Sequence, residues 1–259
     1  MGVALWLGCA AGGVVETAAA QQPLPVPLQM SLPVPLVDCP TNDQPGTARA
    51  RVGVSMPAPV DGRMAEQVAF YRSLDSPGVY APRGWSCHGW DGSNGTILVV
   101  TPHRLEPPFY PLPVIGGPAV VIQSSDAGSS GRFHVAIVAA QLFALIADEF
   151  IATVRQEHVI SDSALQAEPH PNDQIQYISD RLVQFTTPAN RTGLGTDGLF
   201  EPSDWAVRGL IVLNLERDVN SLTEVRVRLP AALNAVAATV LQLETTCIQL
   251  QGGCRGLPP

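Results

Sequence analysis

The sequence predicts an α+β protein: an antiparallel or mixed sheet covered by helices, one domain preceded by a Pro-rich N-terminal arm. Three observations lead there. Stretches of strand character at 182–186, 207–215 and 223–229 follow one another through short connections, as antiparallel neighbours do. Helical periodicity is set apart from them, at 133–155 and in the segment opened by Pro230. The chain is also 46% hydrophobic and only 15% charged over 259 residues, which gives it ample apolar surface to build a sizeable core and places it outside the disordered class.

The elements follow in order. Residues 1–20 read as an export signal, because an apolar or small run from Val3 to Val15 leads to Ala18, Ala19 and Ala20, an A-x-A cleavage pattern with Gln21 as the mature start. No Arg or Lys precedes the run, which departs from the pattern. A lipoprotein signal ending at Cys9 is the competing reading, and Trp6 suits a lipid-attachment box poorly. Residues 21–48 form the Pro-rich linker, where Pro23, Pro25, Pro27, Pro33, Pro35, Pro40 and Pro45 argue against a continuous helix or a central strand.

The α+β domain is expected over 49–251, with a C-terminal tail at 252–259. Alternation at 49–56 suits a strand, whereas Met64, Val68, Tyr71 and Leu74 recur at helical spacing. An irregular loop follows from Ala81, running into a strand at 96–100; a Pro- and Gly-crowded connection at 102–118 then leads to a strand at 119–123. The longest helix is expected at 133–155, with His134, Gln141, Asp148 and Arg155 on one polar stripe. Asp148 and Glu149 interrupt its apolar stretch, so no transmembrane span is expected in the mature chain. After Pro230, the residues Leu233, Val236, Ala237, Val240, Leu241, Cys247 and Ile248 share one helical face, and Gly252 and Gly253 end the helix.

Composition excludes several activities. All 15 basic residues are arginine, so Schiff-base chemistry, Walker-type phosphate loops and kinase chemistry lack their lysine. The net charge of -8 and the scattered arginines argue against a nucleic-acid partner. With Cys9 removed alongside the signal, Cys39, Cys87, Cys247 and Cys254 remain, an even number suited to two disulfides in an oxidising compartment. Three pairings are open; Cys39 with Cys87 and Cys247 with Cys254 is favoured, the second pair stapling the tail to its helix. No C-x-x-C occurs, the five histidines stand apart, and Asp91-Gly92-Ser93-Asn94-Gly95 lacks the acidic ligands of a calcium loop, so neither metal nor cofactor is expected.

Two further motifs fail on context. Gly193-Leu194-Gly195-Thr196-Asp197-Gly198 matches G-x-G-x-x-G, but Pro202 and a strand follow where a dinucleotide site needs a helix. The nucleophile elbow G-x-S-x-G is absent, and Ser86, Cys87 and His88, adjacent in extended chain, would point to opposite faces. The richest chemistry lies in the loop beginning at Ala81, where Arg83, Trp85, His88, Trp90 and Asp91 combine flat apolar surface with hydrogen-bonding groups.

Pro82-Arg83-Gly84-Trp85-Ser86-Cys87, followed by a Gly-Ser-x-Gly turn and a strand, with Thr187-Pro188-Ala189 and Gly193-Leu194-Gly195-Thr196 further on, resembles a family of exported bacterial proteins with no assigned activity. The resemblance spans 50–250 and implies location alone. The sequence therefore favours a periplasmic or secreted, non-catalytic binding module whose partner is an envelope protein, a peptide or a carbohydrate. The alternative is a hydrolase with dispersed residues around 83–103, in which His88 or His103 would join Asp91 and a serine.

Overall fold

The computed structural model describes residues 31–41, 49–74, 76–105, 114–166, 171–216 and 219–251. Among them are two sheets and four α-helices, in the α+β class. The expected export signal, Cys9, residues 21–30, Cys254 and the tail at 252–259 lie outside the described residues.

The smaller sheet contains β1 (Leu32–Asp38), β2 (Arg49–Ala58), β3 (Val68–Arg72) and β4 (Val79–Pro82), in the order β2-β1-β3-β4. It is mixed: β1 runs antiparallel to β2 and parallel to β3. The prolines were expected to exclude a central strand before residue 49, and this is corrected, since β1 is an inner strand. Pro33 and Pro35 face Pro57 and Ser55 of β2, and pairing with β3 begins only at Leu36. Both prolines thus occupy the part of β1 that has a single neighbour, where a missing N–H removes no ladder bond on the second side.

The helical spacing of Met64, Val68, Tyr71 and Leu74 also proves misleading. Helix α1 covers only Gly62–Ala65, capped by Asp61, whose Oδ1 accepts the Met64 N–H at 2.8 Å. The chain then enters β3, where Val68, Ala69, Phe70 and Tyr71 are all 0% exposed. A strand buried on both faces is apolar at every position, so it satisfies a helical template as readily as its own.

The larger sheet is antiparallel throughout, with β5 (Ser86–Gly92), β6 (Gly95–Thr101), β7 (Ala119–Asp126), β8 (Gln174–Tyr177), β9 (Leu182–Thr187), β10 (Val207–Glu216) and β11 (Val219–Arg228). Their order, β5-β6-β7-β11-β10-β9-β8, puts β11 at the centre. Much of the expected irregular loop after Ala81 is the regular strand β5, paired residue by residue with β6. The strands expected at 49–56, 96–100, 119–123, 182–186 and 207–215 lie within β2, β6, β7, β9 and β10, and the one expected at 223–229 matches β11 as far as Arg228.

The single helix expected at 133–155 is two helices, α2 (Arg132–Leu142) and α3 (Ala144–Gln156), broken at Phe143 (φ -132, ψ 23). A straight helix of that length would reach about 35 Å. The hairpin instead lays both halves over one face of the sheet, where Val135, Ala139, Ala147 and Ile151 join Val183, Phe185, Ile211 and Leu213 in one core. Arg132 closes the hairpin, its Nε and Nη2 donating to Glu157 at 2.9 and 2.7 Å.

The opposite face of the larger sheet packs on the smaller sheet and on α4 (Asn234–Gln251). Leu98, Val100, Ile122, Val225 and Val227 meet Leu36, Phe70, Val236 and Val240 there. Ala231–Gln249 is long and apolar enough to cross a membrane by length and composition. In this fold Val236, Ala237, Val240 and Leu241 are buried against the sheets, as their periodicity predicts.

Two devices close exposed sheet edges. At β4, the buried Glu244 of α4 accepts the Tyr80 backbone N–H at 2.8 Å. At β5, the Gly89 N–H donates to Pro40 O at 2.8 Å, and Thr41 forms a parallel bridge with Gly89. Only glycine fits here, because a Cβ would sit 2.8 Å from the Cβ and Oγ of Ser73. The disulfide Cys39–Cys87 fastens the same contact, joining the end of β1 to β5. Cys247 is disulfide-bonded as well; Cys254, its expected partner, lies outside the described residues.

Cys39 and Cys87 are 48 residues apart, so the cross-link removes about 4 kcal/mol of unfolded-chain entropy in the simple loop model. The double variant Cys39→Ser, Cys87→Ser should lose about 2–4 kcal/mol in urea titration, with fastest added hydrogen exchange at Gly89.

Candidate functional site

The five residues expected to form one recognition surface divide between two sides of the larger sheet. Ser86, Cys87 and His88 alternate along β5, so Cys87 points toward the smaller sheet and His88 away from it. His88 is 5% exposed and Trp90 8%, and their rings meet edge to face at 4.6 Å. Trp90 packs with Val99, Ile115, Leu199 and Phe200, beneath two loop stretches joined by a parallel bridge between Ile115 and Phe200. Burial, with a smaller contribution from Arg104, holds the His88 imidazole below its usual pKa. Asp91 follows, half-buried, on the alternate side. His88, Trp90 and Asp91 are therefore parts of the packed sheet.

Arg83 and Trp85 lie elsewhere. With Gly84 between them they line a cleft of about 270 Å³ together with Pro35 and Val37, over Ala69 and Tyr71, which are themselves closed to solvent. The Tyr71 hydroxyl sets the wall: it donates to Pro82 O at 2.7 Å and accepts the Trp85 N–H at 3.1 Å. Burial pushes this phenol up to about 12, against the opposing effect of the bonds around it and of Arg83. Gly84 turns the chain at φ 84, a left-handed conformation that suits glycine. Arg83 is exposed, and no described carboxylate pairs with it.

A second constellation escaped the sequence reading. On β11 the side chains of Glu224, Arg226 and Arg228 alternate with Val225 and Val227 and point to the helix-covered face, at 2%, 3% and 0% exposure. Glu224 Oε2 bonds His134 Nε2 of α2 at 2.8 Å, and Oε1 accepts from Arg226 Nη2 at 2.9 Å. Arg226 also donates to Gln123 of β7 and to Leu194 O, each at 3.2 Å. Arg228 donates to the carbonyls of Gly117, Glu201 and Ile115, with its guanidinium 4.4 Å above the Phe200 ring. The sequence Glu-Val-Arg-Val-Arg resembles a strand with one wet face. The available signal was the central placement of that strand, which the pattern alone does not reveal.

Electrostatics follow from this packing. Burial would raise the Glu224 carboxyl, but the Arg226 charge and the His134 bond outweigh it and bring it to about 2. Burial likewise depresses His134, and the bond and charge of Glu224 outweigh it, so its net shift is upward. An imidazole held by a buried carboxylate can take up a proton. No described serine, threonine or cysteine is hydrogen-bonded to it.

The glycine motif at 193–198 is a turn with a structural purpose. Asp173 accepts the Leu194 N–H at 2.8 Å and the Thr187 hydroxyl, which in turn accepts the Gly195 N–H at 2.9 Å. A Cβ at Gly195 would fall 2.5 Å from that of Val207. The motif leads to the strand β10, not to a helix, as its sequence context predicts.

The two buried glutamates should act on stability with opposite pH dependence. Glu224, lowered, contributes stability present above pH 4.5 and lost as pH falls toward about 2. Glu244, raised by burial to about 8, contributes stability present below pH 4.5 and lost as pH rises through about 8. In denaturant titrations, Glu224→Gln should cost about 3–5 kcal/mol near pH 6 by stranding Arg226, a deficit that shrinks toward pH 2. Glu244→Gln, which keeps an acceptor for Tyr80, should gain on the parent protein steadily between pH 5 and 8.5.

Comparison of the chain with protein-family models, with curated proteins and with solved structures gave no match, so the site stands on its own geometry.

Proposed function

We propose that this chain is an exported, non-catalytic binding module, periplasmic or secreted, whose recognition surface is the cleft beside Trp85. The observation that supports the reading is the half-buried Trp85 beside the exposed Arg83 at the mouth of a cleft of about 270 Å³. Such a surface offers area for contact and one charge for orientation. The partner class is an envelope protein, peptide or carbohydrate. Export is supported by the signal-like residues 1–20 and by a buried disulfide, which is compatible with an oxidising compartment.

The hydrolase alternative around 83–103 would need His88, buried edge to face against Trp90, to reach a substrate. If an acid–base centre exists, His134 is the better-oriented histidine, because Glu224 fixes its ring.

Substitution of the two tryptophans distinguishes recognition from packing. Trp90→Ala should cost about 3–5 kcal/mol, as a buried indole does. Trp85→Ala should cost under about 2 kcal/mol yet abolish capture of ligands from peptide and glycan arrays. Retained capture by Trp85→Ala, or unfolding as severe as that of Trp90→Ala, would sink the reading.

A further inference from the structure

We propose that two copies of this chain pair edge to edge through β8, joining their larger sheets across a two-fold axis at Gln176. The register of the ladder fixes which backbone groups of β8 are open. Ile178 donates its N–H to Leu182 O at 2.9 Å, and beyond it Gln176 pairs with Gln184 and Gln174 with Thr186. Bonded pairs alternate with unbonded ones along an antiparallel ladder, so Ile175 and Tyr177 turn their N–H and C=O groups away from β9. The neighbouring ladder agrees: Leu213 donates to Arg181 O, so the odd-numbered residues of β9 bond to β10 and the even-numbered ones to β8. No described strand lies beyond β8. The edges at β5 and β4 are closed by Pro40, Thr41 and Glu244, and the edge at β2 carries Arg49, Arg51 and Pro57, residue types that blunt an edge. The β8 edge, Gln174–Tyr177, has neither charge nor proline.

The occupant is a second copy because this edge is complementary to itself. With the axis at Gln176, Ile175 of each copy stands opposite Tyr177 of the other, and each such pair exchanges two N–H···O bonds, leaving no outward group of either β8 unused. An axis at Tyr177 would call instead on Ser179, whose N–H is already given to Leu182 O at 3.2 Å. The side chains fit the same register. Ile175 packs at the rim of the helix-covered core, and Tyr177, on that face by strand alternation, is 56% exposed. Pairing lays each Tyr177 ring against the Ile175 of the other copy, an aromatic against a β-branched side chain. On the opposite face Gln176 meets Gln176, and an amide carries both donor and acceptor for its own kind. No like charges are opposed, since Asp173 comes opposite Ser179 and Asp180 opposite Asn172. That condition matters for two chains that each carry a net charge of -8. So short an edge makes a small interface, and the dimer is accordingly weak and concentration-dependent.

The test reads self-association and backbone protection together on the disulfide-intact protein. Sedimentation should show a monomer at about 1 μM and a dimer at about 0.5 mM, as befits an interface below about 1,200 Å². Over the same range, amide exchange at Ile175 and Tyr177 should slow about tenfold, while Gln176, already bonded to β9, changes little. Ile175→Pro removes an outward N–H and no bond to β9, so it should abolish the dimer and keep the melting temperature within about 5 °C of the parent. Gln176→Cys sets two thiols opposite one another in an unbonded pair with Cα atoms about 4.5 Å apart, within reach of a disulfide. Mild oxidation should trap it as a covalent dimer and leave Gln174→Cys, whose opposite residue is Ile178, monomeric. A monomer at every concentration would overturn the proposal, as would a dimer that survives Ile175→Pro or cross-links as readily from position 174 as from 176. Protection of Ile175 and Tyr177 that is independent of protein concentration would mean that another segment of the same chain covers the edge, and would overturn it too. Should Ile175→Pro fail to fold, the two cysteine variants decide alone.

Discussion

Three charged side chains on the covered face of the central strand are the constraint on which the rest of the molecule depends. Glu224, Arg226 and Arg228 cannot be left where they are without partners, since an uncompensated buried charge costs several kcal/mol. Each partner they take belongs to a different part of the chain. Glu224 fixes α2 through His134, Arg226 fixes the turn at 193–198 through Leu194 O, and Arg228 fixes the strands of loop at 115–117 and 199–201. Ile115 and Phe200 then bridge to one another, and that pairing roofs Trp90. The covering of the sheet is thus specified by directional bonds from β11, with apolar packing on either side filling the space. A guanidinium suits this task, having five donors in a fixed plane and a weak hold on water.

The two faces of the larger sheet are held by different physics. On the helix face, charge and hydrogen bonding set the arrangement. On the other, the contact between the sheets is almost wholly apolar, and its polar exceptions sit at edges. Glu244 reaches from α4 to the open edge of β4, where it spares Tyr80 an unsatisfied N–H at the cost of burying its own carboxyl. Cys39–Cys87 does the corresponding job at β5 covalently. One edge is therefore sensitive to pH and the other to reduction, although both serve to keep strands from pairing with other chains.

How much of this was legible in the sequence depends on whether a signal is local. Strands β9, β10 and β11 and the buried face of α4 were readable because hydrophobic period and turn residues sit next to one another along the chain. Cys39–Cys87 was one of three possible pairings, favoured because Cys247 with Cys254 would staple the tail to its helix. Strand β1 was obscured by Pro33 and Pro35, whose tolerance depends on where β3 begins to pair. Strand β5 was obscured by Gly89 and its polar neighbours, whose edge is completed by Pro40 and Thr41 from far along the chain. The break at Phe143 has no Gly or Pro to announce it. The candidate site was half legible for the same reason: period two along β5 predicts that neighbouring side chains diverge, but which face is solvent is a tertiary fact.

That divergence leaves Arg83 exposed and Trp85 half-buried, outside the regular strand, while His88 and Trp90 within it are consumed by packing. A residue inside a paired strand has its direction fixed by the pleat, and here both faces of the sheet are covered. Trp85 precedes β5, past a left-handed turn at Gly84, so its backbone is free of that alternation and is positioned by the Tyr71 hydroxyl. The wall of the cleft is consequently anchored to the smaller sheet, and the strand that follows it is anchored to the larger one.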